Sequence, residues 1–243
     1  MNFIINAIKI IFILGFLVLI HETGHFIVAR LCKIKVKEFA IGFGPTIWKK
    51  QGKETKYALR LIPLGGFVNM LGEEEQSEEE GSFSKASIPK RIAVVMAGGI
   101  VNIVFAIITY IIIITVVTKN LGIAISSTGE FVLSMFESIK LIFSGGVTVD
   151  QLMGPIGISE VIVQTTGILD FVYILAIISM SLGVTNLLPF PPLDGGKVLL
   201  LLIEAIRKKP LKENLEIKIQ MLGFVLLIML SFYVAYNDII RIL

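Results

Sequence analysis

Four long apolar runs dominate the pattern of the chain, at about residues 3–29, 92–118, 171–188 and 220–236. Each has the length a helix needs to cross a hydrocarbon core, about 17–25 residues. The first carries one charge, Lys9, between Phe3 and Ile20. It is too long for a signal-peptide core and lacks a small-residue cleavage site, so it is expected to persist as a span. After it the period changes. Ile34, Val36, Phe39, Ile41 and Phe43 alternate with other residues, and Tyr57, Leu59 and Leu61 alternate again beyond a polar turn at Gln51, Gly52 and Lys53. This pattern predicts a β-rich loop over residues 34–70, punctuated by Gly42, Gly44 and Pro45 and ended by Pro63, Gly65 and Gly66. Residues 72–87 hold six glutamates and little that is apolar, which predicts a flexible acidic loop. Residues 131–143 are amphipathic, with Glu137 and Lys140 on the polar side. They predict a short external helix, closed by Gly145 and Gly146, that lies on the outer surface. Pro189, Pro191 and Pro192 break the end of the third run, and irregular backbone at that depth normally lines a cavity.

Composition sharpens this picture. The 243 residues are 55% hydrophobic with a mean hydropathy of +0.86, which excludes an ordinary soluble domain. The fold class is membrane α-helical: four transmembrane helices with a small β region after the first, in one domain over residues 1–243. There is no internal repeat and no nucleotide-binding glycine loop. Of 22 Lys and Arg residues, twelve lie between Arg30 and Arg91 and six between Lys197 and Lys218. Lys119 and Lys140 are the two between the second and third runs, and Lys9 and Arg241 stand near the ends. Positive charge is retained in the cytoplasm, so the first and third loops are expected inside and both termini outside. Cys32 is the single cysteine, which excludes an intramolecular disulfide and reads as filler.

Candidate chemistry sits inside the first run. His21, Glu22, Thr23, Gly24 and His25 form a His-Glu-x-x-His motif containing the two histidines of the chain. A spacing of four puts both imidazoles on one helical face, where they can hold a zinc ion, and Glu22 can take a proton from metal-bound water. Two histidines and a glutamate in one turn of a lipid-embedded helix are costly without such compensation. Catalytic zinc usually has a third protein ligand. Asp194, which follows the segment from Asn186 to Leu193 and precedes Gly195 and Gly196, is the natural candidate. His21 lies about 27 Å along its helix, and Asp194 lies at the cytoplasmic end of the third run. All three groups are therefore expected near the inner face. A rival reading is a non-catalytic membrane metal-binding or metal-transport protein, which would not need Glu22. Another is a membrane-anchored zinc protease with a soluble catalytic domain, which normally keeps its metal outside the bilayer.

The chain resembles the site-2 proteases, the intramembrane zinc metalloproteases, and most closely the bacterial regulator-of-sigma-E protease branch. The resemblance rests on His21 to His25, Gly42-Phe43-Gly44, Leu64 to Val68, Ile88 to Arg91, Gly98 to Asn102, Gly154 to Gly157 and Asn186 to Gly196. It implies zinc held by His21, His25 and Asp194, with Glu22 activating water, and a membrane-associated β-hairpin within residues 34–69. It implies substrates that are single-span proteins already shortened by another protease, such as anti-sigma factors or remnant signal peptides. The bacterial cytoplasmic membrane is the expected location. A substrate helix must unwind before it is cut, and a strand edge in residues 34–43 could capture the extended segment. Gly42, Phe43, Gly44, Asn102 and Asn186 are the candidate substrate contacts. Two departures stand out. The branch usually carries PDZ domains between spans two and three, which are thought to exclude bulky substrates. About fifteen residues separate Thr118 from Ser134 here, too few for one. Gly99 stands where a proline commonly follows Gly98.

Overall fold

The computed structural model describes residues 2–73, 75, 77–146 and 152–242. Its elements in chain order are α1 (Asn2–Leu31), β1 (Val36–Gln51), β2 (Lys56–Met70), α2 (Ile88–Thr118), α3 (Leu121–Phe143), α4 (Pro155–Gln164), α5 (Ile168–Asn186), α6 (Asp194–Arg207) and α7 (Glu213–Ile242). Among the described residues, helices α1, α2, α5 and α7 are the ones long and apolar enough to cross a membrane. Most extend past their apolar runs, because residues such as Glu213, Glu216 and Lys218 are good helix formers that continue the backbone ladder into water. Hydropathy marks lipid depth, and hydrogen bonding sets helix length.

Three expectations are corrected. The helix expected at 131–143 begins at Leu121, because the Asn120 side chain caps it by accepting from the Ile123 N–H at 3.1 Å. Pro63, Gly65 and Gly66 do not end β2, which runs on to Met70. Gly65, at φ +129, bends the strand where it meets the Phe43 ring, a contact that leaves no room for a side chain. The acidic loop is anchored: Phe83 is buried, and its N–H donates to the Leu71 carbonyl at 2.7 Å. Ser77 and Ser84 clasp the loop by hydrogen bonds of 3.1 Å each way. Glu74 and Gln76 of that loop lie outside the described residues.

The chain divides into two compact units. The first comprises residues 1–10, 104–181 and 224–243. In it the fully buried Asp238 accepts from the Gly157 N–H at 2.9 Å, satisfying the start of α4, and pairs with Arg241 at 2.7 Å. The second comprises residues 11–103 and 182–223. Its core joins Ala29, Val36, Val68, Phe83, Val94 and Leu201, so one face of the sheet packs on α1, α2 and α6. Both strands bend. Phe39, Ala40 and Ile41 face Val68, Phe67 and Gly66 on one side and Tyr57, Ala58 and Leu59 on the other. The first arm of β1 is therefore paired on both sides. The expected capture edge in residues 34–43 is occupied by the chain itself.

Candidate active site

Helix α1 presents His21 and His25 toward α6. Asp194 is not the end of the third span but the first residue of α6, after the turn from Leu187 to Leu193. The turn satisfies its own backbone: Leu187 and Leu188 donate to Val184 and Thr185 at 3.1 Å each, and Leu193 donates to Phe190 at 3.0 Å. Gly195 and Gly196 are buried, and a side chain at either would strike the carbonyls of Leu187 and Leu188 or the backbone of Pro191. Their bareness lets the first turn of α6 press on that segment and fixes where Asp194 points. A carboxylate also suits the positive end of a helix.

Three ligand atoms converge. His21 Nε2 and His25 Nε2 are 3.1 Å apart, and Oδ2 of Asp194 is 3.2 and 3.3 Å from them. Tetrahedral zinc with bonds of about 2.0–2.1 Å spaces its ligand atoms by about 3.3 Å, so the triangle has the size the ion requires. The tautomers agree. His25 Nδ1 lies 2.8 Å from the Val94 carbonyl, which can only accept, so Nδ1 carries the proton and Nε2 offers a lone pair. Lone pairs this close repel one another until a cation sits between them. Gly98 borders the same space. A Cβ there would collide with His25 Nε2 and lie 2.7–2.8 Å from the His21 ring. Asp194 Oδ2 is buried with no hydrogen-bond donor among the described residues, as a carboxylate oxygen meant for a cation would be.

Glu22 shares with these three a cavity of about 800 Å³, whose other walls include Phe67, Val68, Asn69, Met70, Glu73, Lys197 and Leu200. Gly66 backs Glu22: an added Cβ would lie 2.9 Å from Glu22 Cγ and 3.0 Å from the Ala40 carbonyl. Lys197 donates to Glu73 at 3.0 Å, and the Glu73 charge raises the lysine above its ordinary range against the cost of burial. Arg91 pairs with Glu204 at 2.7 Å and ties α2 to α6 along the cavity wall.

The candidate substrate contacts are placed differently from expectation. Asn102 is fully buried, with its amide 3.5 Å from Nδ1 of His21. The amide nitrogen is the end nearest the ring; the amide turned end for end would set its oxygen against Nδ1, keep the proton there and free Nε2, which would make Asn102 an orienting partner of His21. Asn186 closes α5 and is partly buried, and it does not line the cavity among the described residues. Gly42, Phe43 and Gly44 form the bend of β1, with Gly42 and Gly44 at φ +88 and +81, and are likewise not cavity-lining. The stretch of sheet that does line it is Phe67 to Met70, the end of the β-rich loop expected over residues 34–70, beyond the proline and glycines that resemble a strand terminus.

Residues 9–230 match the model of peptidase family M50. A relative from Clostridium acetobutylicum, described by name as a zinc metalloprotease, is 27% identical over 330 aligned positions covering 97% of each chain. That alignment is longer than the 243 residues here, so the relative carries segments without a counterpart in this chain. A zinc metalloprotease by name from Vibrio cholerae serotype O1 is 48% identical over 110 residues, 43% of this chain and 24% of that one. The regulator of sigma-E protease RseP of Escherichia coli strain K12 is 39% identical over 115 residues, 45% of this chain and 26% of its own. With four membrane-length helices and a match over most of its length, the chain belongs to peptidase family M50, the site-2 family of zinc metalloproteases.

Proposed function

We propose that the chain hydrolyses peptide bonds of single-span membrane proteins within the bilayer, at a zinc ion held by His21, His25 and Asp194, with Glu22 as general base. The observation that carries this reading is the 3.1–3.3 Å triangle of ligand atoms opening on the same cavity as Glu22. Bound zinc would polarise the scissile carbonyl and acidify the attacking water. Glu22 accepts the proton of that water and returns it to the leaving amine. Asn102 and the Val94 carbonyl hold the two imidazoles in the required tautomer. The stretch Phe67 to Met70 along the cavity supports capture of an unwound substrate as an added strand. Gly42, Phe43 and Gly44 would act one step back, by setting the bend that positions β2.

Substrates already shortened on the outer side, such as anti-sigma factors or remnant signal peptides, are those the family resemblance implies, although the few residues between α2 and α3 leave no room there for the domain thought to exclude bulkier ones. The name of the Escherichia coli relative, a regulator of sigma-E, supports the first class. The distribution of Lys and Arg supports a bacterial cytoplasmic membrane location with both termini outside and the site near the inner face. A metal-binding or metal-transport role would leave Glu22 without a task in the cavity.

The test is cleavage of a tagged single-span reporter, shortened on its outer side, by wild type and Glu22→Gln in the same membranes. Cleavage by wild type alone, abolished by a zinc chelator, is expected. Equal cleavage by both would remove Glu22 as the base. Zinc bound with no cleavage of any reporter in a panel of single-span sequences would favour the non-catalytic metal protein.

A further inference from the structure

We propose that Lys197 is a second electrophile of the site, its ammonium donating to the scissile carbonyl oxygen as negative charge develops there. This rests on the protease reading above. When water adds to the peptide carbon, the carbonyl π electrons move onto oxygen. When the C–N bond breaks they return, and the amine leaves with the proton carried by Glu22. A preorganised donor aimed at that oxygen is worth about 10²–10³ in kcat.

Lys197 has the right place for the task. It follows Asp194 by three residues on α6, and side chains at that spacing share a helix face with Cβ atoms about 5–6 Å apart. It lines the same cavity as His21, Glu22, His25 and Asp194. Of the other cations on that wall, Arg91 pairs with Glu204 of α6, and Lys85, half exposed, pairs with Glu78 of the acidic loop. An ammonium has three donors. Among the described residues Glu73 is its one hydrogen-bond acceptor, at 3.0 Å, which leaves two donors for a substrate. Glu73 follows the Phe67 to Met70 stretch by three residues. The ammonium is thus tethered to the residues that continue that stretch, on the cavity a captured segment would enter. The alternative donors face away: Asn102 is buried behind His21, and Asn186 is off the cavity. Glu73 is a positioning residue that holds the ammonium in register.

The experiment compares wild type, Lys197→Met, Lys197→Gln, Lys197→Arg and Glu73→Gln, purified as full chains, for kcat and KM on the single-span reporter and for zinc per chain. Binding of uncleaved reporter is measured with each change in a Glu22→Gln background. Lys197→Met and Lys197→Gln are expected to lose about a hundredfold or more in kcat, with KM, reporter binding and zinc unchanged. Lys197→Arg should recover part of the loss, and Glu73→Gln should cost less than about tenfold. Any of three results overturns the proposal: full activity of Lys197→Met or Lys197→Gln, an equal loss in Glu73→Gln, or loss of zinc with the lysine. The second would make the pair only a tie between loop and α6, and the third would make Lys197 a support for Asp194. Zinc bound with no cleavage by wild type would instead overturn the protease reading along with it.

Discussion

At the scale of single residues, two glycines define the site as firmly as the ionisable groups do. Gly98 keeps the space between the imidazoles open, since any Cβ there would meet both rings. Gly98→Ala is expected to abolish zinc binding, read as metal per chain in the detergent-purified protein, while the helices remain folded. Full zinc occupancy in that variant would mean that the rings can retreat from α2. Gly66 has the complementary role behind the base, with Glu22 Cγ 2.9 Å from where a Cβ would stand. Gly66→Ala should keep its zinc and lose about a hundredfold in kcat, because displacement of a reacting group by about 1 Å is enough for that. Glu38 offers a test away from the metal. Burial opposes its charge, but Arg60 at 3.0 Å and Lys56 at 3.2 Å lower its carboxyl below the ordinary 4.5. A carboxyl lowered by folding stabilises the fold above its unfolded pKa and loses that contribution as pH falls through its folded value. The melting temperature of wild type should therefore exceed that of Glu38→Gln near neutrality, and the gap should close toward pH 3. A gap independent of pH would mean the interaction is not ionic.

At the scale of elements, the β-strands and α6 act as a frame around α1. The bend at Gly42 to Gly44 and the second bend at Gly65 fold each strand back, so that the first arm of β1 is paired on both sides and Phe67 to Met70 come to the cavity. Phe83 pins the acidic loop to the core formed by Val68, Val94 and Leu201 and stacks under Arg91 at 5.1 Å. Truncation of a buried phenylalanine costs about 3–5 kcal/mol. Phe83→Ala should accordingly lower thermal stability and open residues 77–87 to protease. An unchanged digestion pattern would show that the serine clasp alone holds the loop. Charge and hydropathy concealed this anchor, because one apolar residue among glutamates gives no periodic signal.

At the scale of the whole molecule, the apolar runs alone announced four spans, and lipid leaves a chain with few other ways to satisfy its backbone. The His-Glu-x-x-His spacing was legible for the same reason: a helix puts residues four apart on one face whatever surrounds it. Asp194 could be nominated from the motif around it, since its neighbouring glycines and prolines are local signals. What the chain could not declare was anything that depends on two distant segments meeting. The role of Asn102 behind His21, the backing of Glu22 by Gly66 and the reach of Lys197 into the cavity each join residues more than forty positions apart. The sequence by itself determined the spans and the presence of a small sheet and nominated the proposed ligand set, because those follow from local periodicity, spacing and motif. Only the tertiary structure decided which strand segment lines the cavity and which polar groups stand against the two imidazoles, because pairing and packing are set by contacts that no local pattern encodes.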